Sequence, residues 1–270
     1  MSFPFSDLAL ARRLERAEGT ANKLFVEARA RLNPDSGACW IEAAGAYAMF
    51  DGVQSPLTQT FGLGLFEPPS DDDLATLERF FRDRAAQVHH ETSPVAGHEL
   101  VKRLVDRGYH PIEYTSVLYQ PIAAGGLGAA SVSAMEVHRV DAAEHDAWTR
   151  AFIEGWSDAA DLAGFLDEAS RVQAHVAGAH RFLATENGRP VAGGGLFIHD
   201  RVALLAGAST IPSARQRGAQ LALLDARLRF AASADCDLAM MGALPGSGSQ
   251  RNAERNGFRI AYTRVKWMLK

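Results

Sequence analysis

The sequence has few of the features that mark secreted, metal-binding or membrane proteins. Its 270 residues include only two cysteines, Cys39 and Cys236, which stand far apart, so neither a disulfide framework nor a cysteine metal motif is expected. The histidines show no metal-ligand spacing, and no apolar run reaches the roughly 18 residues that span a bilayer. The first residues lack a basic segment followed by an apolar one, so no signal peptide is expected. A cytoplasmic protein without metal or membrane partner is therefore predicted.

The charge balance also argues against nucleic acid as a partner. The formal net charge is only -4, which gives no general attraction to nucleic acid. An apolar content of 47% and a charged content of 22% are ordinary for a globular protein. The length suits one large domain or two smaller ones.

Helical and strand-like patterns alternate along the chain, which is typical of an α/β fold. The first half begins with a helix over 5–31 that Ser6 or Asp7 caps, followed by a strand over 39–50. In the second half, Asn187-Gly188 predicts a hairpin turn, a helix is expected over 218–233, and two strands are expected to finish the chain.

Two stretches of the chain have a similar order of residues. Tyr114, Thr115 and Val117 align with Tyr262, Thr263 and Val265 when one gap is allowed. The segment 123–131 is small, uncharged and rich in glycine, as linkers are. Together these features predict two copies of one fold, over 1–122 and 132–270.

The most informative segment runs from Thr210 to Gln220. It connects an apolar strand to a helix start, where unpaired backbone N–H groups and the positive end of the helix dipole favour anions. Arg215 and Arg217 add positive charge beside it. The segment therefore predicts a phosphate-binding loop.

Thr210-x-Pro212-x-x-Arg215-x-x-Gly218 resembles the acyl-CoA-binding motif of the GNAT superfamily of N-acetyltransferases. The resemblance implies two tandem GNAT-like α/β domains, each a mixed, mostly antiparallel sheet flanked by helices. It also implies that loop amides hold the pyrophosphate and that the preceding strand binds the pantetheine arm and the thioester. The implied cofactor-binding residues are Ala208, Ser209, Thr210, Arg215, Gln216, Arg217, Gly218, Ala219 and Gln220. Asn252 is added as a candidate contact because it is a polar residue on the later short helix, where the family's usual Asn position holds Gly246.

Only the second copy is expected to bind acetyl-CoA. At the matching helix start the first copy carries Asp71, Asp72 and Asp73, whose charges stabilise a helix N-terminus but repel a pyrophosphate. We therefore expect 1–122 to be a degenerate domain and 132–270 to hold the single cofactor site.

The sequence departs from the family pattern at the motif and at the expected acid. Gln220 replaces a small residue, so it either crowds the phosphates or donates a hydrogen bond to them. Ala253 stands where the family often has a Tyr that protonates the leaving thiolate. Tyr262 and Ser249 are the remaining candidates for catalysis, although the matching Tyr114 in the first copy favours a packing role for Tyr262.

Two further patterns favour structure over chemistry. Gly193-Gly194-Gly195 lies within a strand pattern with no helix after it, which indicates a bulge or a close backbone approach rather than a phosphate loop. Trp148, Phe152 and Trp156 recur at helical spacing, which favours core packing. In the GNAT fold this helix also borders the acceptor cleft, so one of them could line it.

The resemblance implies an N-acetyltransferase that moves an acetyl group from acetyl-CoA to a primary amine of a small acceptor. Attack of a neutral amine on the thioester needs mainly orientation and an oxyanion donor. Two alternatives remain open, a non-catalytic acyl-CoA sensor or scaffold and an enzyme that uses another acyl-CoA. The oligomeric state is left as monomer or homodimer.

Overall fold

The computed structural model describes residues 2–122, 135–158 and 163–270. The predicted linker at 123–131 lies outside them. In the described chain, no helix is both long and apolar enough to cross a membrane.

Seven helices and eleven strands make up the regular structure of these residues. The helices are α1 (Leu8–Leu32), α2 (Asp71–Arg82), α3 (His98–Asp106), α4 (His145–Gly155), α5 (Ala163–Gln173), α6 (Ala219–Ser233) and α7 (Gly248–Arg255). The strands are β1 (Cys39–Ala43), β2 (Ala46–Phe50), β3 (Gln59–Phe61), β4 (His89–Thr92), β5 (Tyr109–Pro121), β6 (Glu136–Arg139), β7 (Ala179–Glu186), β8 (Arg189–His199), β9 (Val202–Thr210), β10 (Leu238–Ala243) and β11 (Arg259–Leu269).

Local sequence signals predict most of these elements correctly, but the predictions are wrong for the first strand and for the last two. Asp7 caps α1 by accepting from the N–H of Leu10, and Asn187-Gly188 forms the predicted turn with positive φ at both residues. The strand predicted over 39–50 is wrong, because Ala44 and Gly45 adopt positive φ and turn it into the β1–β2 hairpin. The two predicted terminal strands are one, since β11 continues through a register shift after Ile260.

The chain divides into two compact units, one of which interrupts the other along the sequence. The central unit comprises residues 121–239, and the composite unit comprises residues 2–120 and 240–270. The division falls inside β10. The predicted limits of 1–122 and 132–270 follow the repeat, whereas the compact units assign the last 31 residues of the chain to the unit that contains the first copy.

Strand β11 explains this assignment. In the composite unit the strand order is β1-β2-β3-β4-β11-β5, with β11 antiparallel to both β4 and β5. The two repeated segments are therefore direct neighbours, and Tyr114 of β5 lies opposite Val265 of β11. Only β3 and β4 pair in parallel among the pairs described in this unit.

The sheet of the central unit is antiparallel, in the order β9-β8-β7-β6. Helix α4 packs on it through Trp148 and Phe152, which are buried and stacked with ring centroids 4.8 Å apart. The indole N–H of Trp148 donates to the carbonyl of Phe182. The predicted packing role of these two aromatic residues is confirmed, while Trp156 is half-buried at the edge of the same cluster.

The close fit between α4 and β9 depends on a glycine at the end of α4. A Cβ added at Gly155 would lie 2.5 Å from Ser209 Oγ and 2.8 Å from the backbone N of Thr210. Gly155→Ala is therefore expected to destabilise the central unit by about 1–3 kcal/mol, as overpacking does. Thermal or denaturant unfolding of the whole chain measures this change.

Gly248→Ala is the matched control, because the added Cβ in α7 would meet no atom within 4 Å. This substitution is expected to stabilise by about 0.4–1 kcal/mol through the unfolded state. Equal effects of the two substitutions would contradict the contact assigned to Gly155.

Candidate functional site

Strand β9 contains a bulge near its carboxyl end. Gly193 pairs with Ser209 and Gly195 pairs with Ala206, so Gly194 alone faces both Gly207 and Ala208. Gly207 has φ of +56°, the left-handed conformation that begins a bulge of the glycine type. The extra residue belongs to β9, so the glycine run of β8 faces the bulge and does not itself contain one. The run is instead a place of close approach, since a Cβ at Gly193 would lie 3.1 Å from Trp148 Nε1 and one at Gly194 would lie 3.3 Å from Arg227 Cζ.

The bulge also interrupts the burial of β9. The strand is buried from Val202 to Leu205 and again at Ser209 and Thr210, but Ala206 and Gly207 are exposed. Backbone groups at a bulge leave the regular ladder of hydrogen bonds. A ligand can thus reach the main chain of this strand at its irregular point.

The loop after β9 leads directly into the start of α6. A single 3-10 turn, Pro212–Ala214, is followed by Gln216 and Gly218, both with positive φ. Gly218 is the N-cap of α6, no side chain caps it, and the first turn of α6 carries no acidic residue. The first N–H groups of a helix have no partner inside the helix, so Ala219 and Gln220 present theirs at this end.

Arg215 ties the loop to the end of α4. Its guanidinium donates to the carbonyls of Thr210 and Gly155, at 3.3 and 3.2 Å, and pairs with the carboxylate of Asp158. The guanidinium and the carboxylate are both well exposed to solvent, and exposed ion pairs contribute little to stability.

Arg217 pairs with Glu186, at the end of β7, with 2.6 Å between Nη2 and Oε1. The pair borders a cavity of about 510 Å³ between the β7–β8 turn and the loop. The cavity is lined by Glu186, Asn187, Arg189, Pro190, Val191, Ile211, Ser213, Ala214 and Arg217. Its volume falls in the range of about 300–1,000 Å³ that is usual for small-molecule sites.

Gln220 joins the two ends of the loop. Its side-chain amide donates to Thr210 Oγ1 at 2.8 Å, so it is turned back toward β9. The structure brings together the predicted cofactor residues Ala208, Ser209, Thr210 and 215–220 within the central unit. Ser209 is held there by its hydroxyl, which donates to the carbonyl of Phe152 at 2.8 Å.

The corresponding helix start in the composite unit differs in charge and in capping. Ser70 and Asp73 form a reciprocal capping box at α2, and the first turn carries Asp71, Asp72 and Asp73. The two hydrogen bonds from Ser70 lower the pKa of Asp73. The backbone N–H groups of Ser70 and Asp73 are therefore bound by side chains of the capping box, and the first turn of the helix is negatively charged.

Three predicted site residues, Ser249, Asn252 and Tyr262, lie in the composite unit instead. Ser249 is exposed on α7, and Asn252 is half-buried and accepts from the side-chain amide of Asn256 through its backbone carbonyl at 2.7 Å. Ala253, at the position of the expected acid, is buried.

Tyr262 is part of a buried ionic network. It is 7% exposed, and its hydroxyl donates to Glu15 Oε1 at 2.9 Å. Burial and the charge of Glu15 raise its pKa well above the usual value for tyrosine, which makes it a weak proton donor. Arg264 completes the network by pairing with three carboxylates, those of Glu15, Glu18 and Glu91.

Several contacts of the loop were not anticipated from the sequence. Asp158 and Glu186 are distant in sequence from the arginines they pair with, and sequence order alone gives no signal for them. Gly207 did carry a signal, because a glycine inside a strand pattern often marks a bulge.

The fold resembles several solved structures. A GCN5-related N-acetyltransferase from Kribbella flavida matches with a TM-score of 0.64 and 20% identity over 93% of this chain and 95% of its own. One from Sphaerobacter thermophilus gives a TM-score of 0.55 and 18% identity, over 84% and 76%. A tandem GNAT protein from the clavulanic acid biosynthesis pathway gives 0.56 and 12%, over 92% and 94%.

No protein-family profile matches the sequence, and no curated protein is detectably related to it. The structural likeness therefore concerns the fold. The chain has the GNAT fold in tandem, with the mixed, mostly antiparallel sheet and flanking helices that the motif predicted.

The network around Arg264 makes stability depend on pH. Burial is the largest effect on Glu91 and raises its pKa from 4.5 to about 7. The folded state therefore binds a proton at Glu91 more tightly than the unfolded state does. This binding adds to the free energy of unfolding in full below pH 4.5, and the contribution is lost as pH rises through about 7. Burial lowers the pKa values of His89 and His90 to about 4 and about 3. These two side chains have the opposite effect, because the free energy of unfolding falls as pH drops below 6.5 and the unfolded state takes up the protons first.

Glu91→Gln removes the ionisable carboxyl group of Glu91 and leaves His89 and His90 unchanged. Between pH 5 and pH 8 the free energy of unfolding of Glu91→Gln should rise relative to wild type, by on the order of 3 kcal/mol at most. Denaturant unfolding at several pH values measures the difference. Parallel pH profiles for the two proteins would show that Glu91 does not hold the proton.

Proposed function

We propose that the protein is an acyltransferase that moves an acetyl group from acetyl-CoA to a primary amine of a small acceptor. The observation that carries the proposal is the start of α6, which lacks a side-chain cap and an acidic residue and follows a loop beside a bulged strand. A phosphate finds N–H donors and the positive end of a dipole at such a helix start. The GNAT fold of the solved N-acetyltransferases supports the same chemistry.

In this proposal each part of the central site has a role. The amides of 215–220 hold the pyrophosphate, and the backbone of Ala208 to Thr210 binds the pantetheine arm and the thioester. Backbone N–H at the exposed bulge stabilises the oxyanion that forms when the amine attacks the thioester carbon. The C–S bond then breaks and CoA leaves as a thiolate, while the extra proton of the amine nitrogen passes through water to that thiolate, which gives the amide and CoA.

The proposal places one cofactor site in the chain. The second copy, 132–270, supplies the loop, whereas the first copy, 1–122, is degenerate because its α2 start is capped and acidic. A pyrophosphate there would meet three carboxylates instead of free N–H groups. Asn252 remains a proposed cofactor contact, and Ser249 and Tyr262 remain the proposed candidates for catalysis.

The Arg217–Glu186 pair allows a sharp test of the phosphate site. Arg217→Gln and Glu186→Gln break the same ion pair, in which Arg217 is exposed and Glu186 is partly buried, so a purely structural role moves both variants in the same direction. If Arg217 serves the phosphates, its loss should weaken CoA binding by about fivefold or more, as expected for a charge-assisted hydrogen bond. Glu186→Gln should instead tighten binding by about twofold, because it frees Arg217 and removes a negative charge.

Isothermal titration of the two variants and the wild type with CoA and acetyl-CoA measures these changes. Arg229→Gln is the control, because it breaks a partly buried pair with Asp225 on the same helix α6, away from the loop. Absence of binding by the wild type would refute the proposed function. Equal changes in the two pair variants would refute the role of Arg217 alone.

A second candidate is an acyl-CoA sensor or scaffold that does not catalyse transfer. It is favoured by Ala253 at the position of the expected acid and by the engagement of Tyr262 with Glu15. Thiol release from acetyl-CoA with a panel of primary amines separates the two candidates. The enzyme hypothesis expects release that depends on the amine and exceeds the rate without it, whereas a sensor binds acetyl-CoA and shows no such release.

A further inference from the structure

Helix α6 carries an arginine on the face that it buries. Leu223, Leu224, Leu228 and Ala231 form an apolar stripe at helical spacing, and Arg227 occupies the position inside this stripe. Arg227 is only 3% exposed. A charged residue in such a position is rare unless it is paired or strongly hydrogen-bonded.

The partners of Arg227 are backbone carbonyls. Nε donates to Leu223 O one turn earlier, and Nη1 donates to Gly195 O of β8, both at 3.1 Å. Within the described residues no carboxylate lies in ion-pair distance of it. Burial alone lowers the pKa of Arg227 to about 10, because its charge is desolvated without an opposite charge.

The guanidinium lies against the glycine that faces the bulge. A Cβ at Gly194 would stand 3.3 Å from Arg227 Cζ, so the absence of a side chain at this position leaves the room that Arg227 fills. Gly194 is the residue of β8 that faces both Gly207 and Ala208 of β9. Arg227 thus contacts the residue of β8 that lies opposite the bulge in β9.

A buried charge is a costly way to fill space. Replacing even a buried ion pair by apolar side chains of similar volume is often neutral or stabilising, and a buried charge without an opposite charge is costlier still. Packing therefore does not explain Arg227, whereas hydrogen bonding does, because an apolar side chain could not bind the Gly195 carbonyl at the point where the ladder is broken.

We propose that Arg227 is a positioning residue for the acyl-CoA site, which fixes β8 at Gly194 and Gly195 and so fixes the bulge at Gly207 and Ala208. This proposal rests on the proposed function only for its effect on ligand binding. Its structural part, that Arg227 orders the bulge, stands without a ligand. Arg227 acts through the backbone of β8 and β9.

Arg227→Met is the principal variant, and Leu228→Ala is the matched control on the same buried stripe. Arg227→Met should keep or raise the midpoint of thermal unfolding, yet speed amide hydrogen exchange in a peptide covering 205–210 by tenfold or more. It should also weaken acetyl-CoA binding by tenfold or more. Leu228→Ala should lower the unfolding midpoint through its cavity, without a selective effect on that peptide.

Arg227→Lys supplies the conservative rescue, because an ammonium can still donate to Gly195 O, and it should return affinity and exchange to within threefold of wild type. Wild-type exchange at 205–210 in Arg227→Met would overturn the proposal. If Arg227→Met fails to fold, Gly194→Ala tests the same contact, since its methyl displaces the guanidinium, and it should speed exchange at 205–210. Unchanged exchange in Gly194→Ala would overturn the proposal.

The failure of the proposed function can be distinguished from the failure of this inference. If wild type does not bind acetyl-CoA, the proposed function fails, and the exchange experiment still decides whether Arg227 orders the bulge. If wild type binds and Arg227→Met binds equally well, the positioning role is refuted while the proposed function survives.

Discussion

The geometry of the candidate site depends on the irregularity between β8 and β9 in the sheet of the central unit. Two residues of β9, Gly207 and Ala208, face one residue of β8, Gly194, and this mismatch exposes main chain in an otherwise buried strand. Side chains on both faces are fitted to it, since Phe152 lies near Gly207 on one face and Arg227 lies on Gly194 on the other. A sheet held in this way keeps its defect in one place, which a ligand that binds backbone requires.

The unpaired amides at the helix start are satisfied in one copy and left without a side-chain partner in the other. In the composite unit Ser70 and Asp73 satisfy these groups internally. At α6 a glycine takes the cap position and offers no side chain, so the amides depend on water or on a ligand. Capping by side chains stabilises a helix start, whereas an uncapped start leaves its amides available to an anion, so the two copies differ in what their helix starts offer.

Local physical signals in the sequence predicted much of the fold. Caps such as Asp7 and Ser70, and the Asn187-Gly188 turn, act over a few residues, and these elements were placed well. The prediction failed at Ala44, where a non-glycine residue takes positive φ, and along β11, where a register shift leaves the strand unbroken. The partners of the loop arginines depend on tertiary packing. So does the environment of Tyr262, whose repeat counterpart Tyr114 is half exposed. Similar residues in a repeat therefore did not imply similar surroundings.

The position of β11 has a consequence for the order in which the chain can fold during synthesis. The composite unit places β11 in the interior of its sheet, between β4 and β5, but residues 259–269 leave the ribosome after all of the central unit. Domains generally fold as units, the earlier-synthesised ones first. Here the earlier-synthesised part lacks the strand that pairs with both β4 and β5, while the central unit can already close its core. Exposed edges of this kind are the sites at which strands of other chains add, so the chain is open to such addition until β11 has been synthesised.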